Sequence, residues 1–523
     1  MTAAQPSACN LEGQGAATDS KSASISSQHT HEDGDEAPRA LHRTGLFLGT
    51  GKSLATGGPA SMLICYSIVG FIVYITLLLL GEMATQFPIA GSFTTYSSRF
   101  FSPSYSFALG WNYWFNDAIS VASDLVAAQI LLEFWTTSHT WAISLAFWVF
   151  LMGINSIHVR SYGELEYWLS LLKVVTIVIF VILGILVNLG VNQEHKYIGG
   201  SNFRQSPFVG GFGGFARVFV TASFAYGGTE SLAITAGETK NPTRNIPRVV
   251  KFVFWRILLF YLISVLLIGL NVSPTYPNLS TRSATTSPFT IVFQQAGSTA
   301  AASFMNTVIL TSVLSLSVAT PRQAPAFFSK TTRNGVPLPA LILTSSISIL
   351  AFGSSFIGSG QLWAWLQNLV GVSNQIAWFS IGLASWRFRA AWVRQGRSLR
   401  DLKFHISWTR VWAPPFVVFS VAFLIIVQGW SSFYPTFSKV DFVSLYIEIP
   451  FMVVMFAAWA YGVRPLKSSG ERKGLGWVFD LVDLDSVDLE SDQHTETEQD
   501  RLAEEKRAEN LRVWWKRPYY WLA

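Results

Sequence analysis

The stretch SFAYGGTESLAITAGE, residues 223–238, interrupts an apolar run that is otherwise long enough to cross a membrane. Gly227 and Gly228 stand side by side in it, followed by Thr229 and Glu230, and this combination is a poor helix former. Unwound backbone at membrane depth is tolerated where it lines a cavity, and the amino end of a half-helix there attracts anions. The stretch therefore predicts a broken helix beside a polar cavity. The alternative is that the glycines allow two helices to pack closely.

A second interrupted segment lies earlier, in RALHRTGLFLGTGKSLATGGP, residues 39–59. Between Leu46 and Ala55 it is apolar for only about half of the roughly 20 residues that cross a bilayer, and Lys52 lies inside it. Paired broken helices in corresponding positions of two repeats are typical of the substrate site of a transporter. The two segments together predict such a site.

The composition sets the class of protein. Half of the 523 residues are hydrophobic, 15% are aromatic and only 13% are charged, whereas a soluble domain has about 25% charged residues. This predicts an integral multi-pass membrane protein. The formal net charge of +6 does not indicate a nucleic-acid partner, because the basic residues cluster in short connections between apolar runs. Cys9 and Cys65 provide neither a disulfide framework nor a metal motif, and we predict no cofactor.

Eleven further runs have spanning or near-spanning length, which with the opening segment gives twelve. They are Ala60–Ala84, Phe107–Phe134, Trp141–Ile157, Leu165–Leu189, Phe215–Gly237, Val249–Leu270, Ala302–Val318, Leu338–Phe356, Leu362–Trp386, Pro415–Trp430 and Phe442–Tyr461.

Lysine and arginine are concentrated on alternate connections between these runs, as the positive-inside rule describes. The basic connections hold Arg99, Arg160, Lys240, Arg244, Arg248, Lys251, Arg322, Lys330, Arg333 and the set from Arg387 to Arg410. The other connections hold only Lys196, Arg204, Arg282 and Lys439. We therefore expect both termini in the cytosol. A location in the plasma membrane is a separate expectation.

Three segments are predicted along the chain. Residues 1–43 form a disordered cytosolic leader, because they are polar and lack the apolar core and cleavage site of a signal peptide. Residues 44–462 form the transmembrane domain. Residues 463–523 form a cytosolic tail, in which opposite charges three or four apart favour an amphipathic helix. Its aromatic and basic end, residues 511–523, is expected on the inner leaflet or on the cytosolic face of the protein, and the tails are candidate sites for trafficking or ubiquitination machinery.

Ionisable side chains inside apolar runs indicate function, because a charge in hydrocarbon is costly without a partner or a water-filled cavity. Lys173 lies about eight residues into its run, roughly 12 Å deep at 1.5 Å per residue. Asp117 and Asp124 are nearly two helical turns apart and point the same way. Glu230 follows the paired glycines. Each could simply pair with another or with a helix end, but together they predict a polar cavity.

Six motifs together resemble the fungal and bacterial amino-acid permeases of the amino acid-polyamine-organocation superfamily. They are GGPASMLICYSIVGFIVY (57–74), LGEMATQFPIAGSFTTYSSRF (80–100), ALGWNYWFNDA (108–118), SYGELEYWLSLLKVVTIVIF (161–180), GGTESLAITAGETKNPTRNIPRVVKFVFWRILLFY (227–261) and RNGVPLPA (333–340). The resemblance runs from about Thr44 to Gly462. SDLVAAQ (123–129) and residues 166–180 look most like lysine-specific permeases.

The resemblance implies an all-α fold of two five-helix inverted repeats plus two carboxyl-terminal helices, with substrate held between the broken first and sixth helices. In such a fold Thr44 and Gly45 would meet the carboxylate of an L-amino acid through backbone amides. Ala225, Gly227 and Gly228 would present carbonyl groups to its ammonium group. The implied activity is transmembrane transport by alternating access.

Other positions also match motif residues of the family. Phe224 matches an aromatic gate, and Glu230 matches the acid of the sixth helix. Lys173 matches a lysine that replaces a sodium ion in proton-coupled relatives, which implies proton symport. Asp124, with Asp117 on the same face, would meet the side-chain end of the substrate, where a carboxylate suits a cationic side chain such as that of lysine.

The sequence departs from the family pattern at two places. RALHR (39–43) stands where relatives have the cytosolic half of the first helix, and VLSLSVATPRQAPAFF (313–328) lacks the end of the eighth helix. Both departures remove material that lines the same cavity, so the chain as written is expected to be impaired in transport. A skipped exon or gene-model error is the first explanation and a decayed paralogue the second. Sequencing transcripts across both junctions distinguishes them.

Other classes of function are weighed against transport. An enzyme would need a reactive constellation near the bilayer, and all eight histidines lie outside the runs or at their ends, so we expect no enzyme. The alternative function is a sensor that binds an amino acid without carrying it, or an inactive paralogue with the same fold.

Overall fold

The computed structural model describes most of the chain between residues 45 and 493. The described residues are 45–89, 91–135, 140–157, 159–230, 242–277, 279–280, 286–313, 338–409, 411–434, 436–463 and 480–493. Side chains are not described at 92, 140–141, 143, 154–157, 159–167, 312–313 and 462–463. The predicted leader (1–43), Thr44, residues 314–328 of the eighth-run junction and the tail end (494–523) lie outside this set. The chain divides into residues 1–37 and 38–523, and the second unit holds every described residue.

Helices are the only regular secondary structure in the described part of the chain. They are α1 (Gly49–Gln86), α2 (Ser92–Phe100), α3 (Pro103–Leu132), α4 (Thr140–Ile157), α5 (Val159–Asn188), α6 (Ser201–Gln205), α7 (Gly211–Tyr226), α8 (Pro242–Arg256), α9 (Ile263–Asn271), α10 (Pro288–Gln295), α11 (Thr299–Val313), α12 (Leu338–Ser348), α13 (Ser354–Ile357), α14 (Ser359–Arg394), α15 (Ala413–Val427), α16 (Trp430–Phe433), α17 (Lys439–Tyr446) and α18 (Glu448–Ala457). A π-helical turn, Ile257–Leu262, joins α8 to α9, and another, Ala458–Val463, follows α18.

Among the described residues, six helical stretches are long and apolar enough to cross a membrane. They are Gly49–Gln86, Pro103–Leu132, Trp168–Asn188, Pro242–Asn271, Leu338–Ile357 and Ala413–Phe433. The pair α17 and α18, bent by 47°, makes a seventh if it is one span. The prediction of an all-helical, multi-pass membrane protein is confirmed, and the count of twelve spans stays a prediction.

The opening segment and the run after it form one element that is broken at Gly58. This glycine has φ 82° and ψ 170°, and Pro59 follows it. A Cβ atom at Gly58 would lie 2.8 Å from the carbonyl oxygen of Pro207, which accepts a hydrogen bond from the Ala60 N–H at 3.0 Å. The positive φ and the close approach both favour glycine. The sequence GGP thus turns the chain directly from the opening segment into the next run, without a connecting loop.

The core of the described structure brings α1, α3, α7 and α14 together. α7 packs against α1 and α14, and α14 also packs along α3. Close backbone approach makes the α7–α14 contact possible, because a Cβ atom at Gly371 would lie 2.6 Å from the carbonyl oxygen of Val220. This packing holds the carboxyl end of α7, with Phe224 and Glu230, among three other helices.

Basic residues predicted to lie inside meet part of the acidic tail. The side chain of Arg99 lies 3.3 Å from Asp492 and 3.6 Å from Asp488. Arg397 of the loop after α14 lies 3.1 Å from Glu490. Leu489, within the same tail segment, is buried. Residues 480–493 therefore dock at the end of the bundle where α2 and α14 finish.

Candidate functional site

The sixth apolar run is interrupted where the paired glycines predict. α7 ends at Tyr226, and Gly227 leaves the helix with φ −58° and ψ 152°. Gly228 has φ 84°, in the left-handed region that favours glycine. The N–H of Gly227 donates to the carbonyl oxygen of Phe224 at 3.3 Å, which closes the last turn. The helix thus stops inside the packed core, and residues 231–241 beyond it are outside the described set.

Glu230 lies directly after this break and is fully buried. Its Oε1 atom accepts hydrogen bonds from the N–H of Gly228 at 3.1 Å and from the hydroxyl of Tyr113 on α3 at 3.3 Å. Its Oε2 atom accepts one from Nε1 of Trp378 on α14 at 3.2 Å. Donors from three chain segments therefore satisfy the carboxylate and fix its position.

The start of the opening segment lies against the end of α7. A Cβ atom at Gly45 would lie 2.7 Å from Cα of Ala225 and 2.8 Å from Cδ1 of Phe224. The buried ring of Phe224 meets Trp363 of α14 edge to face, with the centroids 6.3 Å apart. The structure thus brings Gly45, Phe224 and Ala225 into contact, and their predicted role in binding a substrate stays a prediction.

The carbonyl group of Ala225 already has a hydrogen-bond partner. The hydroxyl of Tyr261, in the turn between α8 and α9, donates to it at 3.1 Å. A carbonyl oxygen has two lone pairs, so Tyr261 occupies one of the two acceptor positions of this buried carbonyl group.

A network of amide side chains connects α3, α14 and the end of α7. Asn116 donates to Asn374 at 3.4 Å, and Asn374 donates to the carbonyl oxygen of Ser223 at 3.3 Å. Gln375 donates to the Ser223 hydroxyl at 2.8 Å. A Cβ atom at Gly227 would clash with the Asn374 amide, so this asparagine lies directly against the break.

None of these amide residues is among those predicted for the site, because they carry no charge and do not interrupt a helix. The signal that could have found this network is the amide-rich stretch QNLVGVSNQ, residues 367–375, in an otherwise apolar run. Buried amides of this kind need hydrogen-bond partners, and here the partners lie at the break.

The predicted acids lie on α3, which belongs to the core of α1, α3, α7 and α14, whereas the predicted lysine lies on α5, which packs against other helices. Asp117 and Asp124 are half-buried on α3 and share a helical face with Tyr113, whose hydroxyl reaches Glu230. Lys173 is buried on α5, which packs against α9, α10 and α11. Among the described residues, no group of three or more His, Cys, Asp or Glu side chains is placed to hold a metal ion.

Lys52 of the opening segment contacts α14 near the site, although no site role is predicted for it from the sequence. Its ammonium group donates to Oε1 of Gln367 at 3.1 Å, to Oδ1 of Asn368 at 3.2 Å and to the carbonyl oxygen of Ala364 at 3.3 Å. These contacts attach the opening segment to α14. The residue type was visible in the sequence as a charge inside an apolar segment.

Comparison with known proteins identifies the family. The model of the amino acid permease family matches residues 42–468. The chain is 41% identical over 461 residues to a probable amino-acid permease of Schizosaccharomyces pombe, covering 82% of this chain and 90% of that protein. It is 38% identical over 434 residues to the lysine-specific permease LysP of Escherichia coli, covering 79% and 88%. It is 36% identical over 476 residues to the cationic amino acid transporter 1 of Schizosaccharomyces pombe, covering 86% and 81%. The chain belongs to the amino acid permease family.

Proposed function

We propose that this permease takes up a cationic L-amino acid, with lysine preferred, in symport with protons by alternating access. The observation that carries the proposal is the break after α7 at Gly227 and Gly228, beside the buried carboxylate of Glu230. The last turn of α7 before this break packs against Gly45. Backbone amide and carbonyl groups at such a break suit the two charged ends of a zwitterion.

The preference for a cationic side chain rests on α3. Asp117 and Asp124 share the face of Tyr113, and a carboxylate there would attract an ammonium or guanidinium group. Two similar proteins are named as a lysine-specific permease and a cationic amino acid transporter, which supports the same substrate class.

Proton coupling is assigned to Lys173. Its buried ammonium group would make the charge of the core depend on proton binding.

We further propose a plasma-membrane location with both termini in the cytosol. The acidic segment 480–493 contacts Arg99 and Arg397, two residues on predicted inside connections. The cytosolic tails are proposed as contact sites for trafficking or ubiquitination machinery.

Uptake of labelled lysine in transporter-deficient cells tests the substrate and the coupling together. Because the chain as written is expected to be impaired, the test restores the missing parts of the first and eighth helices, and cells that express this restored chain should concentrate lysine. Dissipating the proton gradient should abolish the concentration. Lys173→Ala should lose gradient-driven accumulation, whereas Lys196→Ala, at an exposed connection, should keep it. Gradient-driven accumulation that persists in Lys173→Ala contradicts the role of Lys173 in proton coupling. Binding of lysine without accumulation contradicts transport and indicates a sensor.

A substrate panel tests the role of α3. Lysine and arginine should compete for uptake better than histidine or neutral amino acids. Asp124→Asn should lower this preference, whereas Asp485→Asn, an exposed change in the tail segment, should not. A strong preference of the unmodified protein for a neutral amino acid contradicts the role of Asp124.

A further inference from the structure

Glu448 is a buried acid that the proposed transport site does not use. It is the first residue of α18 and is 1% exposed. Both of its carboxyl oxygen atoms are buried and have no hydrogen-bond partner among the described residues. Glu230, by contrast, has donors on both oxygen atoms. The two acids therefore differ in their surroundings, since Glu230 accepts hydrogen bonds on both oxygen atoms and Glu448 accepts none from the described residues.

Within the described part of the chain, no cationic side chain pairs with Glu448. The hydroxyl of Ser373 on α14 is the polar group that lies near the carboxyl group, but neither carboxyl oxygen accepts a hydrogen bond of ordinary geometry. The Ser373 hydroxyl is instead hydrogen-bonded to Asn112 of α3. It accepts from the Asn112 Nδ2 atom at 2.8 Å and donates to the Asn112 backbone carbonyl oxygen at 3.4 Å. The contact between Phe115 of α3 and Phe451 of α18, at 5.5 Å, fixes this arrangement.

The titratable groups that neighbouring helices bring to this level do not pair with Glu448. From α3 they are Tyr113, which donates to Glu230, and Asp117, which is itself acidic. From α17 they are Asp441, which pairs with Arg217 at 2.8 Å, and Tyr446, which donates to the carbonyl oxygen of Ile426.

The arginines of α14 are remote from this acid. The first of them, Arg387, lies about four turns beyond Ser373. A buried carboxylate with no cation and no donor is costly, whereas the neutral acid is not. A neutral carboxyl group also has one proton to donate, and the Ser373 oxygen is an available acceptor.

The position of Glu448 connects it to the break in α7. Ser373 precedes Asn374, the asparagine that lies against Gly227 and bonds to the Ser223 carbonyl oxygen. On the other side, Glu448 begins α18 immediately after the 47° bend that separates it from α17. A change of charge at Glu448 would therefore act at a helix bend and at a network that ends at the proposed substrate site.

We propose that Glu448 is a proton-binding site of this permease, distinct from Lys173, and that it carries a proton in the conformation described here. The carboxylate takes the proton from water and returns it to water when the bend between α17 and α18 exposes the group. This makes one step of the transport cycle depend on pH. The inference extends the proposed symport, and its first test does not require transport.

Infrared spectroscopy of the purified full-length protein in lipid vesicles provides that test. Between about pH 5 and about pH 9, above the ordinary titration range of glutamate, the protein should show absorbance of a protonated carboxylic acid. The band should be lost in Glu448→Gln and retained in Glu194→Gln, a change at an exposed outer connection. An unchanged band in Glu448→Gln overturns the proposal, and so does a band that sodium ions abolish at constant pH, since sodium would then be the ligand.

If Glu448→Gln does not fold, Ser373→Ala keeps the acid and removes its acceptor. The titration midpoint of the band should then shift, and an unchanged midpoint overturns the proposal. In vesicles, Glu448→Gln should retain exchange of labelled lysine but lose the pH-dependent component of net uptake, and an unaltered pH profile counts against the site. If the chain with both missing helix parts restored takes up no lysine, only the proposed function is contradicted, because the infrared test does not require transport.

Discussion

At the scale of single residues, the proposed site depends on positions where a side chain would not fit. Gly45 approaches Phe224 and Ala225, Gly227 approaches Asn374, and Gly228 has a positive φ. Each of these glycines meets a different constraint, namely a backbone contact, a side-chain contact and a dihedral angle. The close approach at Gly45 is the one that joins the two interrupted segments.

Gly45→Ala tests this approach. The added methyl group would lie within 3.0 Å of three atoms of Phe224 and Ala225, and overpacking of this kind costs about 1–3 kcal/mol. Uptake of labelled lysine should fall by about tenfold or more, as such a free-energy change implies. Gly200→Ala is the matched control, because nothing lies within 4 Å of a Cβ atom there. Equal uptake by the two variants would show that the opening segment need not contact α7.

At the scale of elements, α1 and α14 are joined at one end by a buried ion pair. Arg389 of α14 donates to the two carboxyl oxygens of Glu82 at 2.8 and 2.9 Å. Nδ1 of His405, in the loop after α14, lies 2.9 Å from the same carboxylate. Arg389 also donates to the carbonyl oxygen of Thr409 at 2.8 Å. This cluster ties two long helices and a loop together away from the proposed substrate site.

Arg389→Met measures what the cluster contributes to stability. Removing one partner of a buried pair leaves an uncompensated charge and costs about 3–5 kcal/mol, so the thermal midpoint of the purified protein should fall markedly. The control is Arg394→Met, which breaks a 4.0 Å pair with Asp485 whose side chains are 58% and 69% exposed. Such exposed pairs contribute about 0–1 kcal/mol. Similar midpoints for the two variants would contradict a stabilising role of the buried pair.

At the scale of the whole molecule, the acidic segment 480–493 links residues distant in sequence. Arg387 donates to the carbonyl oxygen of Phe100 at 2.7 Å and also to that of Val482. Arg99 donates to the carbonyl oxygen of Ser491 at 2.8 Å. The segment therefore bridges the ends of α2 and α14. The hydrogen bonds that Arg387 and Arg99 donate to backbone carbonyl oxygens of the segment do not depend on the ionisation of its acidic side chains.

Arg99→Ala should release this segment. The variant loses contacts with Asp488, Ser491 and Asp492, so limited proteolysis should cut the tail faster than in the unmodified protein. Arg400→Ala, at an exposed residue of the following loop, should leave the cleavage rate unchanged. Equal rates for both variants would mean that Arg99 does not hold the segment.

The same segment gives a prediction about pH. Hydrogen bonds from the side chain and backbone N–H of Ser491 and from the backbone N–H of Glu490 hold the pKa of Asp488 well below its usual range. A depressed pKa stabilises the docked form above the ordinary aspartate pKa of about 3.9, and this contribution is lost as the pH falls towards the lower value. Cleavage of the tail should therefore be the same at about pH 5 as at about pH 7. Faster cleavage at about pH 5 would contradict the assignment.

The sequence by itself determined the membrane class, the helical content and the break at residues 227–228. These follow from local chemistry, since apolar length, paired glycines and positive φ need no knowledge of distant residues. Tertiary structure decided the direct turn at Gly58, the amide network of α3 and α14, the hydrogen-bond partners of Glu230 and the burial of Glu448. They depend on residues more than 100 positions apart in sequence meeting in a packed core, and helical periodicity cannot specify which helices will be neighbours.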